Sequence, residues 1–145
     1  MTAPPDRADG AAEAGDGTAT TPTPPGRLVP MAFVADCERA VAFWARLGFG
    51  VRNRYLNETD GRLNWAWLEA ADGAALMVAR ATAPVAADAQ AVLFYLYVAD
   101  VAAWRAELAA AGVTATEIET PEHSPNGEFR ITDPDGYVVY VRQVD

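Results

Sequence analysis

The stretch Gly127–Arg142, GEFRITDPDGYVVYVR, decides the fold. Two alternating apolar runs flank Asp133-Pro134-Asp135-Gly136, where proline fixes φ and glycine supplies a positive one, so the segment predicts a β-hairpin. An earlier stretch, Trp65–Val78, sets a second Asp-Gly turn between two strand-like runs, with Gly73 lying 63 residues before Gly136. The pairing points to an internal duplication, and the sequence outward of both hairpins supports it.

Upstream of the first hairpin, the apolar run Leu28–Ala35 predicts a strand. Asp36 is placed as an N-cap before Glu38–Leu47, whose apolar residues recur at helical spacing, and Gly48 ends the helix. Phe49–Asn57, Arg62–Ala70 and Ala74–Arg80 read as strands. The same order returns after Ala81–Gln90, a linker rich in alanine with Pro84 inside it. Ala91–Ala99 is a strand, Asp100 the cap, Val101–Ala111 the helix, Gly112 the stop and Val113–Thr120 a further strand before the opening hairpin. Cap and stop are 12 residues apart in both copies. The expected fold is therefore α+β: two tandem βαβββ modules, 27–80 and 91–145, forming a curved mixed sheet with an open cavity and helices on the outer face. Residues 1–26, rich in Ala, Pro, Gly and Thr and almost without large apolar side chains, read as a disordered tail.

The 145 residues carry a formal charge of −9, and every basic side chain besides the lone histidine is arginine. An acidic balance of this size argues against nucleic acid and suits a cationic ligand or plain solubility. No stretch has the length and apolarity of a membrane span, and one cysteine, Cys37, is compatible with a reducing cytoplasm. At a helix start its thiol is either activated or simply tucked under the helix, the second being the commoner case.

Strand alternation separates two faces. Ala32 and Val34 share the parity of Phe94, Leu96 and Val98, which suits packing under a helix. The opposite parity holds Met31, Phe33, Tyr95 and Tyr97. The hairpins add Trp65, Trp67 and Met77 from the first copy and Glu128, Arg130, Tyr140 and Arg142 from the second. An aromatic surface with few charges is the usual composition of a site for a flat organic molecule, although it also suits packing between the halves or a dimer interface. His123, between Pro121 and Pro125, can polarise a ligand or act as a base, as can Glu128; a surface histidine and a structural Glu128–Arg130 ion pair are the plainer readings.

The run Val34-Ala35-Asp36, the helix Ala40–Leu47 with Gly48-Phe49, and Phe129–Tyr137 together resemble the vicinal oxygen chelate superfamily of glyoxalases, extradiol dioxygenases and bleomycin-resistance proteins. The resemblance covers Arg27–Asp145. It implies paired βαβββ modules, dimerisation and, in many members, a divalent metal held from the first and last strands of each module. Carried over, those positions are Val29, Leu93, Met77 and Tyr140, none of which is His, Asp or Glu. The chain thus resembles most the metal-free bleomycin-resistance branch. The expectation is a cytoplasmic homodimer that needs no cofactor and sequesters a small aromatic, cationic molecule without chemistry. A lyase or isomerase of the same fold, either metal-dependent through other ligands or metal-free through His123, Glu128 and Tyr140, and an accessory module that binds a protein partner, are the alternatives.

Overall fold

The structure, a computed structural model, describes residues 21–145; most of the expected N-terminal tail lies outside them. From Thr21 to Pro30 the chain has neither helix nor strand. The first module then runs β1 (Met31–Val34), α1 (Cys37–Ala45), β2 (Gly50–Leu56), β3 (Leu63–Glu69) and β4 (Ala75–Arg80). The second runs β5 (Leu93–Val98), α2 (Val101–Ala110), β6 (Glu128–Thr132) and β7 (Val138–Gln143). The strands form two mixed sheets, ordered β1-β4-β3-β2 and β5-β7-β6. In each the first strand lies parallel to the last, and the hairpin is antiparallel.

Both helices begin as their sequences dictate. Asp36 accepts from the Arg39 N–H and Asp100 from the Ala103 N–H, each at 2.9 Å, satisfying a donor that the first turn leaves free. The bond from Arg39 is the main reason the Asp36 carboxyl is held below its usual range, with the nearby Arg62 guanidinium adding to it. α1 buries Cys37, Ala40, Phe43 and Trp44 against its sheet, and α2 buries Val101 and Leu108. Cys37 is the tucked residue: burial pushes its thiol up to about 11, so it is not activated by its place at a helix start. Alternation along the strands supplies the rest of the core, including Val34, Leu68, Val78, Phe129, Ile131, Val139 and Val141.

The modules join through Trp44, whose ring lies edge-on to Phe49 in its own half and to Phe94 in the other, with centroids 5.5 Å away in both cases. The Asp-Pro-Asp-Gly turn makes the second joint. Asp135 Oδ1 accepts from the Ala35 N–H at 2.7 Å, and the Tyr137 hydroxyl donates to the Phe33 carbonyl at 2.9 Å. The linker contributes a 3₁₀ turn at Ala87–Ala89, and Gln90 donates to the Asp135 carbonyl at 3.0 Å.

Two expectations need correction. Leu28–Pro30 does not belong to β1; Leu28 is exposed, and only the Pro30 carbonyl, which accepts from the Met77 N–H, extends the ladder. Val113–Thr120 is not a regular strand but two isolated bridges, Ala115 to Ile131 and Glu119 to Glu128. The cause is one extra residue. Thr116 exchanges bonds with Arg130 and Glu119 with Glu128, so three steps on this segment face two on β6. The misfit is absorbed at Thr116, whose hydroxyl accepts from the Arg130 N–H while its carbonyl turns to Arg105 Nε at 2.7 Å.

Candidate ligand-binding site

Each sheet carries its helix on one face, and the other face is open. The split follows the parity read from the sequence: β1 alternates exposed and buried, with Met31 and Phe33 outward and Ala32 and Val34 inward. β5 sends out Leu93, Tyr95 and Tyr97, the last 57% exposed.

Register aligns the two copies. Trp67 lies opposite Met77 and Met31 opposite Met77, as Arg130 lies opposite Tyr140 and Tyr95 opposite Tyr140. Trp65 and Glu128 are likewise equivalent, facing Ala79 and Arg142. The duplicated faces therefore superpose position for position while differing in chemistry: the first is thioether, phenyl and indole, the second phenol and charge.

On the second face Tyr95 stacks on Tyr140 at 5.0 Å with 9° between the planes, and Tyr97 continues the row at 6.5 Å. The Arg142 guanidinium lies over the Tyr97 ring at 5.9 Å. On the first face Arg27 lies over Trp67 at 5.7 Å, and the indole N–H of Trp67 donates to Glu69 Oε2 at 3.1 Å, which orients that ring.

The eleven residues singled out from the sequence do not line one cavity within the chain. Each larger cavity takes its lining from one module's open face at most. One, about 370 Å³, sits between Phe33, the linker and Tyr137. Another, about 230 Å³, opens beside Glu128, Arg130 and Tyr140. Its cover is the Pro121–Asn126 loop, which carries His123 over Glu128 with Nε2 3.4 Å from Oε1. The sequence had paired Glu128 with Arg130; no such ion pair forms, because the Glu128 carboxylate turns under the loop while Arg130 points to solvent.

A divalent metal does not fit the positions where the fold would hold one. Val29 precedes β1 and Leu93 pairs with Val138, so the residues beside Met77 and Tyr140 are Met31 and Tyr95. Two thioethers and two stacked phenols offer no imidazole or carboxylate donor. Among the described residues no three His, Cys, Asp or Glu side chains converge as a metal-binding group. No helix among them is long and apolar enough to cross a membrane.

A βαβββ module and a second one whose extra strand is reduced to two bridges, each with a covered and an open face, define a duplicated α+β scaffold. The chain belongs to the Glyoxalase/Bleomycin resistance protein/Dioxygenase superfamily, whose family model matches residues 27–141. Among solved structures it is similar to a bleomycin-binding protein complexed with bleomycin, with TM-score 0.68 and 20% identity over 83% of this chain and 100% of that one. TnmS3, an antibiotic binding protein from Streptomyces sp. CB03234, gives 0.65 and 21% over 85% and 99%. FosX, a fosfomycin resistance protein from Listeria monocytogenes, gives 0.67 and 11% over 83% and 94%. At such identities the likeness is one of fold. No curated protein matches by sequence.

Proposed function

We propose that the chain binds and sequesters a small, flat, cationic organic molecule of the antibiotic type without a metal, acting in the cytoplasm as a homodimer. The observation that carries this reading is the Tyr95–Tyr140 stack. Tyr140 stands at the last-strand position where the resemblance would put a metal ligand, and the stack presents a polarizable, electron-rich surface there instead. Tyr97, Trp65 and Trp67 extend the aromatic surface, Met31, Phe33 and Met77 give it adaptable apolar contact, and Glu128, Arg130 and Arg142 are its sparse polar anchors. Because the two open faces lie apart within one chain, a second copy would bring a first face against a second face and enclose the ligand between them. The net charge of −9 aids encounter with a cation.

Titration of tryptophan fluorescence with bleomycin, alongside metal analysis of the purified protein and its mass in solution, tests the reading. The expected result is a metal-free dimer whose emission is quenched on binding, with the quenching lost when Trp65 and Trp67 are both changed to Phe. Stoichiometric bound metal, or a monomer that binds equally well, would sink it. The cavity shared by His123, Glu128 and Tyr140 favours an enzyme as the second reading, for which turnover abolished by His123→Ala would be the sign.

A further inference from the structure

The Glu128 carboxylate has a feature that a stacking surface does not require. Its side chain is only 7% exposed, and Oε2 has no hydrogen-bond partner among the described residues. Oε1 has one contact, the 3.4 Å approach of a His123 imidazole that is itself 64% exposed. Arg142, the cross-strand neighbour, does not neutralise it: that guanidinium lies over Tyr97 and reaches Asp145 at 3.7 Å. A buried carboxylate with one oxygen unpartnered and the other held only by an exposed imidazole is costly for a fold to keep. The cavity of about 230 Å³ opens beside it, walled by Tyr140, Thr116, Glu119 and Pro121, with Arg130 at the side. Glu119, bridged to Glu128 through the backbone, adds a second acidic residue to the lining. The Arg130 side chain is exposed, so water screens its charge, whereas the buried Glu128 charge is not screened.

We propose that this cavity is a subsite for a cationic nitrogen group, an ammonium or amidinium, with Glu128 as its counter-ion and His123 as a displaceable cover. It rests on the ligand-binding reading above and deepens it. An aromatic body stacks along the Tyr97, Tyr95 and Tyr140 row, and Tyr140, which belongs both to that row and to the cavity wall, leads its charged end to Glu128. The preferred ligand is therefore an aromatic ring with a cationic arm rather than a ring that is itself charged.

Benzamidinium and its neutral isostere benzamide test this at pH 7.5 by calorimetric titration of the full-length protein. Benzamidinium should bind about tenfold more tightly than benzamide, as a charge-assisted hydrogen bond implies. Glu128→Gln should erase that preference while leaving benzamide affinity unchanged, and Tyr95→Ala should weaken both probes alike. Removing an unpaired buried charge should also leave the melting temperature of Glu128→Gln at or above that of the parent. Equal binding of the two probes to the parent overturns the subsite while leaving the aromatic face standing. Failure of both probes to bind at millimolar concentration removes both readings. A preference that survives Glu128→Gln, together with a lowered melting temperature, assigns Glu128 to a structural pair with His123 and overturns the proposal.

Discussion

Replacing Asp133 by Asn should stabilise the fold at neutral pH and cost it about 1 kcal/mol in acid. Asp133 is buried in the hairpin turn, and Oδ1 accepts from the N–H groups of Asp135 and Tyr137 at 2.9 and 2.8 Å. Oδ2 has no partner among the described residues, and Asp135 beside it is a second buried acid with a free Oδ2. Burial outweighs the two backbone bonds, Asp135 repels the anion, Arg39 helps only a little, and the carboxyl is pushed up from 3.8 to about 6. The native state thus holds a proton that the unfolded chain has already released. The stability this confers is fully present below pH 3.8 and is lost as pH rises through about 6. At about 1.4 kcal/mol per pH unit, the native anion costs roughly 3 kcal/mol above that window. Asn keeps the Oδ1 acceptor and removes the charge, while its buried amide donor returns about 1 kcal/mol of the gain. The expected net effect at pH 7.5 is about 2 kcal/mol in favour of Asp133→Asn, or several degrees in melting temperature. Asp36 is held below 3.8, so its pH dependence falls in more acid solution and does not mask the effect. Urea unfolding of both proteins at intervals from pH 4 to 7.5 measures the difference. A difference that is flat with pH, or a variant less stable at pH 7.5, would refute the reasoning.

Gly136→Ala should cost about 3 kcal/mol or more, since its Cβ would sit 1.9 Å from the Ala87 carbonyl oxygen at a φ of +85°. Gly61→Ala, where φ is +68° but nothing lies within 4 Å, should cost only about 1 kcal/mol, and urea melts of the two separate close approach from backbone strain. Tyr137→Phe removes the bond to the Phe33 carbonyl and should lower stability by about 1 kcal/mol, read in the same melts. Cys37 should resist iodoacetamide in the native protein at pH 8 and react fully in urea, because the thiol is buried and its pKa stands at about 11.

Where periodicity is enforced by burial, the sequence was legible. Alternation in β1, β5 and the hairpins assigned inward and outward residues correctly, because a one-residue slip would have placed Val34, Val78 or Val141 in water. Cap and stop residues bounded both helices for the same kind of local reason. Val113–Thr120 was misread because its composition suits a strand while its length against β6 does not. An extra residue in a ladder leaves no mark on composition, although Thr116, able to lend a hydroxyl to a neighbouring backbone, was the available hint. The Glu128–Arg130 pair failed for another reason. Two residues on one strand face are neighbours in sequence logic, but the fold-back of the Pro121–Asn126 loop that leads into β6 decides which of them is covered.

The duplication explains why the two open faces differ in chemistry. At each equivalent pair the first copy holds the apolar member: Met31 for Tyr95, Phe33 for Tyr97, Met77 for Tyr140, Trp65 for Glu128 and Trp67 for Arg130. Two identical faces would recognise a symmetrical ligand. Faces that differ this systematically suit one with an apolar side and a side that can meet phenols and a carboxylate. The changes cost the fold little, since outward positions on an open sheet carry few core contacts and the inward set remains apolar in both copies. The exception is Glu128, where an outward position was covered by a loop and so acquired the cost of a buried charge. The open faces are thus free to differ in chemistry while the duplicated core is joined through Trp44 and the Asp133–Gly136 turn.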